Sequence, residues 1–544
     1  MTDNFKSIRS IKDLTNVFIN IIPIFFKTKK ELGIFSMCAY RFLKEDKKTI
    51  YEKYAQISDD KYKIKTLFKK GLGFSIGKYV YYFNIYTLKI DTNRMVNYPP
   101  QNVFLINFTS KTKEIIFPVV YNLIYYKKYL GKVGPLFKYK NKDLVCYFRQ
   151  TKMNSIAITV RKNNITDSLN EKLKIFFAKV LSIITPKKDI ILLYEKEANK
   201  YEESASVVYE KLIDLGYKNT YFIIKKNSRH NTFIKEKYLR NIIYAYTFKH
   251  YYYWFKCHKF IGTETIPHSI ELRAANSLIT RKMIKKNYKQ VFLQHGVMYM
   301  VALNPNSRSA FLKGGNEMPM DAKIVVSSKK EAEHFIDLGG FNKEDLYITG
   351  LPSYDRNIQN PNADKITIML TWRSWEYNIL ESNYKKSNYY NMVKKIINNI
   401  PKEFSDKVIV LPHPLIFDKL KNTDLSKWIP DVLSYDKILE ETKLLITDYS
   451  SISYSAFYRG ANIIFCWEEL EACMKEYQSH LMLNEDNAFG DISYDFSDIK
   501  ELVKNNYLSH QSKKYQNRYQ KIVEFHDNHN TERLIECLKK DHII

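Results

Sequence analysis

The chain has 544 residues, of which 45% are hydrophobic and 15% aromatic, so most of it should fold, into about two to four domains. Its 86 Lys and Arg residues against 58 Asp and Glu give a net charge of +28. That charge favours anionic partners such as phosphorylated substrates or an anionic membrane face, although an AT-rich genome would also enrich lysine.

Residues 1–74 are predicted to form a basic helical region. Apolar residues recur every three or four positions between Ile8 and Phe25, which is typical of an amphipathic helix. Such a helix either packs on its own domain or lies on an anionic membrane leaflet. No segment has the length of a transmembrane helix or the pattern of a secretory signal. We therefore expect a cytoplasmic protein, peripheral at the inner face of the cell membrane.

Residues 75–170 are predicted to form a β-rich accessory domain. Turn residues separate its strand-like runs, which are Tyr79–Ile90, Val103–Phe108, Glu114–Val120, Leu144–Arg149 and Ser155–Val160. The sequence does not indicate what this domain does.

Short apolar runs then alternate with helical segments, a pattern typical of parallel α/β sheets. Residues 171–358 are predicted to form an N-terminal Rossmann-like domain on the acceptor side. After a polar linker the alternation restarts, and residues 359–544 are predicted to form a C-terminal Rossmann-like domain on the nucleotide donor side, with C-terminal helices. Two doubly wound domains facing each other across a cleft describe the GT-B architecture of glycosyltransferases.

Polar motifs follow several of these runs. Gln294-His295-Gly296 comes after Val291–Leu293, and Pro412-His413-Pro414 comes after Val408–Leu411. Thr447 to Ser451 comes after Leu444–Ile446 and precedes a helical pattern, so its backbone N–H groups and hydroxyls could cradle a phosphate. Ligands of open α/β sheets bind beyond the carboxyl ends of the strands, which is where all these motifs are predicted to lie.

Together the motifs resemble the CDP-glycerol glycerophosphotransferase family, whose members build poly(glycerol phosphate) teichoic acids and similar capsules. The matching segments, in the order and with the spacing of the family over about residues 185–480, are Phe292–Gly296, Ile348–Pro352, Thr371–Arg373, Leu411–Pro414 and Ile446–Ser451. Many members have Trp before the His-Gly pair and Thr-Pro-Leu-Lys after it, whereas here Gln294 precedes it and Val297–Met300 follows. We expect this departure to concern the acceptor rather than the donor.

The resemblance implies a transferase that moves glycerol phosphate from CDP-glycerol to a hydroxyl of a cell-surface polymer or lipid-linked acceptor and releases CMP. Alternatives are a CDP-ribitol-dependent transferase and a GT-B glycosyltransferase that uses a nucleotide sugar. A non-enzymatic basic protein would not need His and Ser residues converging at strand ends. The chain also lacks a recognisable RNA-binding module, so no nucleic-acid partner is expected.

Roles for individual residues follow from the strand-end positions and the resemblance. His295 is predicted to be the general base, because histidine is well suited to proton transfer near neutral pH. Gly296 would permit close approach of a substrate. His413 is the second predicted catalytic residue, a donor to the pyrophosphate that offsets charge on the leaving CMP. Closure of the two domains would bring His295 toward His413, Arg373 and the serines.

The remaining predicted site residues bind the donor. Arg373, Thr447, Ser450 and Ser451 are predicted to contact its phosphates, with Asp448 as support for the serine loop. No cofactor and no metal are expected to be required, since six cysteines without a Cys-x-x-Cys pair and the absence of an Asp-x-Asp motif at a strand end give no metal signature. The expected partners are a nucleotide-activated polyol, a polyol-phosphate or glycan acceptor, and an anionic membrane surface.

Overall fold

The computed structural model describes residues 17–28, 30–43, 54–57, 60–66, 73–95, 102–105, 107–109, 117–121, 137–138, 144–150 and 156–544, the last range without residues 273, 286, 305–310, 315–317, 358, 377–378, 381–382, 414–415 and 432–433. The chain divides into two compact units. The first comprises residues 1–186 and 271–287, and the second comprises residues 187–270 and 288–544.

The first unit contains a mainly antiparallel sheet and a smaller antiparallel sheet. The larger sheet has the order β2-β1-β9-β8-β3-β4-β6-β5, and it closes on itself because β6 also pairs with β2. The smaller sheet has the order β10-β11-β12-β7. The strands are β1 Val17–Lys27, β2 Glu31–Leu43, β3 Tyr54–Ile57, β4 Asp60–Thr66, β5 Gly73–Ile76, β6 Tyr79–Asp91, β7 Asn102–Leu105, β8 Asn107–Thr109, β9 Phe117–Tyr121, β10 Phe137–Lys138, β11 Leu144–Gln150 and β12 Ile156–Lys162.

The predicted N-terminal helix is wrong over the residues that can be compared. Val17–Lys27 is a strand that pairs antiparallel with Glu31–Leu43, and residues 8–16 of the predicted helix lie outside the described residues. The segment is rich in Ile, Val and Phe, which favour strands, and long-range pairing outweighs its helix-like apolar spacing. The strands predicted between residues 75 and 170 are confirmed where they fall on described residues.

The first sheet of the second unit is parallel and has the order β15-β14-β13-β16-β17-β18-β19. Its strands are β13 Ile191–Tyr194, β14 Thr220–Ile224, β15 Ile242–Tyr244, β16 Lys259–Gly262, β17 Lys289–Phe292, β18 Lys323–Val326 and β19 Leu346–Ile348. Nearly all of their side chains are buried, as in a sheet covered by helices on both faces.

The second sheet of this unit is also parallel and has the order β21-β20-β22-β23-β24. Its strands are β20 Lys365–Met369, β21 Val408–Val410, β22 Thr442–Thr447, β23 Asn462–Cys466 and β24 Asp491–Ser493. One hydrophobic cluster contains residues of both sheets, including Leu293 and Leu445. The predicted α/β class with two doubly wound GT-B domains is confirmed.

The α-helices of the described chain complete the layers. They are Thr92–Met95, Leu169–Ile184, Ser204–Asp214, Phe248–Lys256, Ser277–Lys285, Lys329–Asp337, Asn388–Asn399, Phe417–Lys421, Tyr435–Glu441, Ile452–Tyr458, Leu470–Tyr477, Ile499–Leu508, Lys513–Gln520 and Asn530–Lys540. Among the residues that the structure describes, none of these is both long and apolar enough to cross a membrane.

The last helix, Asn530–Lys540, packs against the segment that follows β19 in the first parallel sheet. Asp355 accepts hydrogen bonds from the backbone N–H groups of Asn530 and Thr531 at 3.0 and 2.7 Å. Gly350 has a φ of +78°, and a Cβ built on it would lie 2.1 Å from the Asn530 side chain. The motif Ile348–Pro352 thus receives the C-terminal helix, and its glycine is needed for that close approach.

Candidate active site

His295 stands on a sharp turn at the end of β17. Gln294 before it is buried, adopts a left-handed backbone with φ of 60°, and donates its side-chain amide to Val325 O at 2.5 Å. This conformation is uncommon for a residue with a side chain and needs support from its surroundings. The turn leaves the His295 side chain 41% exposed.

The loop after His295 is held by a buried carboxylate. Glu331 accepts hydrogen bonds from Met298 N at 2.7 Å and from Ser327 N at 2.5 Å. Burial raises the pKa of Glu331, and these hydrogen bonds oppose that shift by favouring the charged form. The segment Val297–Met300, which departs from the family pattern, is therefore anchored through Met298 to the helix Lys329–Asp337.

Glu264 is an acidic partner of His295. Its Oε1 lies 3.6 Å from His295 Nδ1, and its Oε2 lies 3.8 Å from His268 Nε2. Burial raises the pKa of Glu264, while the His295 and Lys196 charges oppose that rise. Burial, followed by the charge of Lys196, lowers the pKa of His268 to about 4, so His268 is neutral at pH 7. The sequence analysis did not identify Glu264, although it follows the apolar run of β16.

A second group of charged residues lies beside Glu264. Glu203 accepts a hydrogen bond from the Thr263 hydroxyl at 2.6 Å, and Lys200 Nζ lies 2.7 Å from its carboxylate. Glu195 accepts from three backbone N–H groups, those of residues 202, 203 and 206. Burial and then the charge of Glu203 raise the pKa of Glu195 to about 7. Lys200 is therefore held at the carboxyl end of the first sheet.

The serine loop, residues 447–451, contacts the loop that contains His295 and Gly296. A Cβ built on Gly296 would lie 3.2 Å from Ser451 Oγ. The absence of a side chain at Gly296 therefore lets the two loops approach each other, and the space beside the glycine is occupied by Ser451. Ser451 precedes the helix Ile452–Tyr458, and its side chain makes no capping hydrogen bond. Ser450 Oγ accepts from Ile452 N at a long 3.5 Å. Both hydroxyls are partly exposed, as a phosphate contact would require.

Thr447 and Asp448 point into the protein instead. The Thr447 hydroxyl donates to Met369 O at 2.6 Å. Asp448 accepts from the backbone N–H and the hydroxyl of Thr371, each at 2.7 Å, and from Tyr449 N at 2.6 Å. Asp448 thus joins the ends of β20 and β22, which fits its predicted supporting role. In this structure Thr447 does not face the site.

Arg373 is also turned inward and is only 1% exposed. Its guanidinium lies 3.2 Å from Asp448 Oδ2 and 3.3 Å from Glu469 Oε2, and Nη1 donates to Thr371 O at 2.9 Å. Burial alone would lower the pKa of Arg373, but the charge of Asp448 raises it above its usual value. In this conformation the guanidinium faces two protein carboxylates instead of the protein surface.

His413 lies at the end of β21, next to the basic residues of the first sheet. Tyr435 donates its hydroxyl to Pro412 O at 2.9 Å, and Lys200 Nζ lies 5.8 Å from the centre of the Tyr435 ring. Burial, followed by the charges of Lys196 and Lys200, lowers the pKa of His413 to about 4. His413 is therefore neutral at pH 7 in the absence of an anion.

The structure thus brings one pair of predicted residues together and places a third predicted residue beside lysines that were not predicted. Gly296 and Ser451 approach each other, and His413 lies near the lysines of the loop after β13. Sequence reasoning missed Lys196 and Lys200, although their charge-rich segment directly follows an apolar run. No three His, Cys, Asp or Glu side chains of the described residues are grouped to hold a metal ion. The expected independence from metals and cofactors stays a prediction.

Comparisons with known proteins agree with this geometry. A sequence model of the family described as CDP-Glycerol:Poly(glycerophosphate) glycerophosphotransferase matches residues 176–540. The minor teichoic acid biosynthesis protein GgaB of Bacillus subtilis (strain 168) is 24% identical over 380 residues, which cover 64% of this chain. The chain covers 39% of that curated relative.

One solved structure shows the same fold. A variant of the wall teichoic acid polymerase TagF soaked with CDPG for 15 minutes has a TM-score of 0.50 and 14% sequence identity, covering 68% of this chain and 93% of that one. Another TagF structure has a TM-score of 0.48 and 15% identity, covering 69% of this chain and 98% of that one. At these identities the likeness concerns the fold.

Proposed function

Because the chain belongs to the CDP-glycerol:poly(glycerophosphate) glycerophosphotransferase family, we propose that it transfers glycerol phosphate from CDP-glycerol to a hydroxyl of a polymer acceptor and releases CMP. The observation that carries this proposal is the pairing of exposed His295 with buried Glu264, on a loop that touches Ser451. This pairing supports a role for His295 as a base beside hydroxyl donors at the carboxyl ends of two parallel sheets.

In the proposed reaction the acceptor hydroxyl oxygen attacks the β-phosphorus of the donor. The bond between that phosphorus and the bridging oxygen breaks, CMP leaves, and the hydroxyl proton passes to His295. Since Nδ1 faces Glu264, Nε2 is the ring nitrogen that takes the proton. The distance of 3.6 Å is longer than a hydrogen bond and would shorten once the imidazolium forms.

Charge on the phosphates is offset by donors from both sheets. Ser450 and Ser451 supply hydroxyls, neutral His413 supplies one N–H, and Lys196 and Lys200 supply positive charge from the first sheet. In phosphoryl transfer such positioning and electrostatic stabilisation provide most of the rate enhancement. The proposed role of Thr447, Asp448 and Arg373 is positioning. Their side chains bind protein groups on the buried side of the serine loop and hold it in place.

We propose an acceptor that is a polyol phosphate or a glycan, presented at an anionic membrane face on a lipid-linked primer. Support for an anionic partner comes from the net charge of +28.

The proposal is tested by incubating the protein with CDP-glycerol, CDP-ribitol or a set of nucleotide sugars, each with a poly(glycerol phosphate) acceptor, and identifying the released nucleotide. Release of CMP with CDP-glycerol is the expected result. If CMP is released with CDP-ribitol but not with CDP-glycerol, the donor substrate is CDP-ribitol. A nucleoside diphosphate released from a nucleotide sugar would instead make the chain a glycosyltransferase and overturn the proposal.

A further inference from the structure

His268 is the second histidine that faces the carboxylate of Glu264. It lies in the short helical turn Ile266–Ser269, which follows β16, and only 14% of its side chain is exposed. Its Nδ1 accepts a hydrogen bond from the backbone N–H of Glu197 at 3.2 Å. Because a backbone N–H only donates, Nδ1 carries no proton, and the neutral ring carries its hydrogen on Nε2. That N–H faces Glu264 Oε2 at 3.8 Å.

The turn that supplies this backbone N–H is held in an uncommon conformation. Glu197 and Ala198 both have a left-handed backbone, with φ of 55° and 50°. Residues with side chains keep this conformation only where their surroundings fix it. Here Ala198 O accepts from Lys225 N at 2.6 Å. The next carbonyl, that of Asn199, accepts from the Ser228 hydroxyl at 2.7 Å. The turn therefore offers the imidazole a fixed donor, and only the backbone of Glu197 takes part in that contact.

Glu264 gains from a hydrogen-bond donor because its surroundings favour the neutral carboxylic acid. Burial is the main cause that raises the pKa of Glu264, the charges of His295 and Lys196 oppose that rise, and the charge of Glu203 adds to it. Lys200 is a further positive charge that acts on the carboxylate. A hydrogen bond donated to a carboxylate favours its charged form. An N–H beside Oε2 therefore helps to keep Glu264 ionised.

Each oxygen of the Glu264 carboxylate faces a different imidazole. Oε1 lies 3.6 Å from His295 Nδ1, and Oε2 lies 3.8 Å from His268 Nε2. The backbone of Glu264 is also fixed, because its carbonyl oxygen accepts a hydrogen bond from the Tyr194 hydroxyl at 2.9 Å. Both carboxylate distances exceed a hydrogen bond of about 2.9 Å, and such contacts often shorten in the complex with substrate. Glu264 thus connects the two rings.

We propose that His268 is a positioning residue for the base, in which Nε2–H holds Glu264 in its ionised form and directs Oε1 toward His295 Nδ1. The inference rests on the proposed role of His295. When His295 takes the proton of the acceptor hydroxyl on Nε2, the carboxylate stabilises the imidazolium and stays ionised. His268 keeps its own proton throughout this step.

His268 does not serve as a second base. Its Nδ1 already accepts a hydrogen bond from the protein backbone, and its Nε2 carries a hydrogen, so neither nitrogen has a lone pair for a substrate hydroxyl. Its side chain is also less exposed than that of His295, at 14% against 41%. His268 therefore acts through Glu264 and touches no reacting atom.

The experiment replaces His268 in two ways and follows CMP release at steady state. His268→Phe keeps a ring without nitrogens, and it should lower kcat about tenfold with the KM for CDP-glycerol within about twofold. His268→Gln keeps both a donor and an acceptor, and it should retain kcat within about threefold. The loss in His268→Phe should be larger at pH 6 than at pH 8, because Glu264 without its donor takes up a proton more readily as the pH falls.

Two further variants distinguish this role from a purely structural one. Adding His268→Phe to Glu264→Gln should change kcat by less than about twofold, because the carboxylate through which His268 acts is already removed. His230→Phe is the matched control. His230 is buried, burial lowers its pKa to about 4, and its Nδ1 lies 3.8 Å from a different carboxylate, that of Glu202. This control should keep kcat within about twofold of the parent chain.

The tautomer of His268 can be measured without turnover. Long-range ¹H–¹⁵N NMR spectra of the parent chain labelled in histidine, assigned by comparison with His268→Gln, should show a neutral ring protonated on Nε2 at pH 7. A cationic ring or a proton on Nδ1 would overturn the inference. So would independent losses that multiply in the double variant, or equal losses in His268→Phe and His230→Phe. A parent chain that releases no CMP from CDP-glycerol would instead contradict the proposed function, whatever the tautomer.

Discussion

His295 Nδ1 faces the buried carboxylate of Glu264 at 3.6 Å, and the same carboxylate faces His268 at 3.8 Å. Glu264 follows β16 and His295 follows β17, and these two neighbouring strands are parallel. A carboxylate in this position selects the ring orientation in which Nε2 points away from the protein, and it stabilises the imidazolium that forms during proton transfer.

Replacing Glu264→Gln should therefore lower kcat by about 10- to 100-fold while changing KM little, since the carboxylate acts on the base rather than on the substrate. Steady-state CMP release measures both constants. Glu197→Gln, an exposed carboxylate of the adjacent loop, is the control and should stay within about twofold. Equal losses in both variants would mean that general electrostatics, not orientation of His295, explain the effect.

Replacing Ser450→Ala and Ser451→Ala together should weaken binding of CDP-glycerol. Each hydroxyl bonded to a charged phosphate oxygen contributes about 1.5–3 kcal/mol, and Ser451 makes no capping hydrogen bond whose loss would complicate the result. Titration calorimetry measures the affinity. Ser453→Ala is the control, because its buried hydroxyl donates to Ser450 O at 2.9 Å and does not face the site. Unchanged affinity in the double variant would leave the serines with a structural role only.

Arg373→Met should act mainly on stability. Breaking a buried ion pair leaves Asp448 without its partner and should cost about 3–5 kcal/mol in the free energy of unfolding. The control Lys394→Met removes an exposed ion pair with Asp424 and should cost less than about 1 kcal/mol. Urea unfolding and calorimetry with CDP-glycerol distinguish the two roles. If the Arg373 variant is as stable as the parent chain but binds CDP-glycerol more weakly, Arg373 contacts the phosphates directly, as the sequence predicts.

His413 should bind the donor as a neutral hydrogen-bond donor. Because burial and two lysines lower its pKa to about 4, His413→Gln should keep the affinity for CDP-glycerol at pH 7 within about threefold, and His413→Ala should lose about tenfold. The same pKa has a consequence for stability. The unfolded chain takes up this proton below about pH 6.5 and the folded chain only near pH 4, so the group lowers stability as the pH falls between these values.

His413→Gln should therefore lose less thermal stability than the parent chain between pH 7.5 and pH 5. Melting temperatures of both proteins at the two pH values measure this difference. An identical fall in both would show that the pKa of His413 is the same in the folded and the unfolded chain, so that burial and the two lysines do not lower it.

The sequence predicted the parts of the site that depend on local order along the chain. Short apolar runs located the parallel strands, and a polar residue soon after such a run lies at the carboxyl end of the sheet, as His295 and His413 do. Helix starts also follow from local order, as at Ser328, whose side chain caps the helix Lys329–Asp337.

What the sequence could not predict depends on partners far apart in the chain. Arg373 faces inward because Asp448 and Glu469 approach it, and neither neighbours it in sequence. Glu264 meets His295 only through the pairing of two strands. The segment Val17–Lys27 has helix-like apolar spacing, but antiparallel pairing with Glu31–Leu43 makes it a strand.

The central claim is that His295 accepts the proton from the acceptor hydroxyl during transfer of glycerol phosphate. The most direct measurement follows CDP-glycerol and a poly(glycerol phosphate) acceptor by ³¹P NMR, with the parent chain and with His295→Ala. The parent chain should convert the diphosphate signals into CMP and a new phosphodiester, and the variant should do so about 10²- to 10⁴-fold more slowly while binding CDP-glycerol with nearly unchanged affinity. Turnover of the variant within about threefold of the parent chain would contradict the claim.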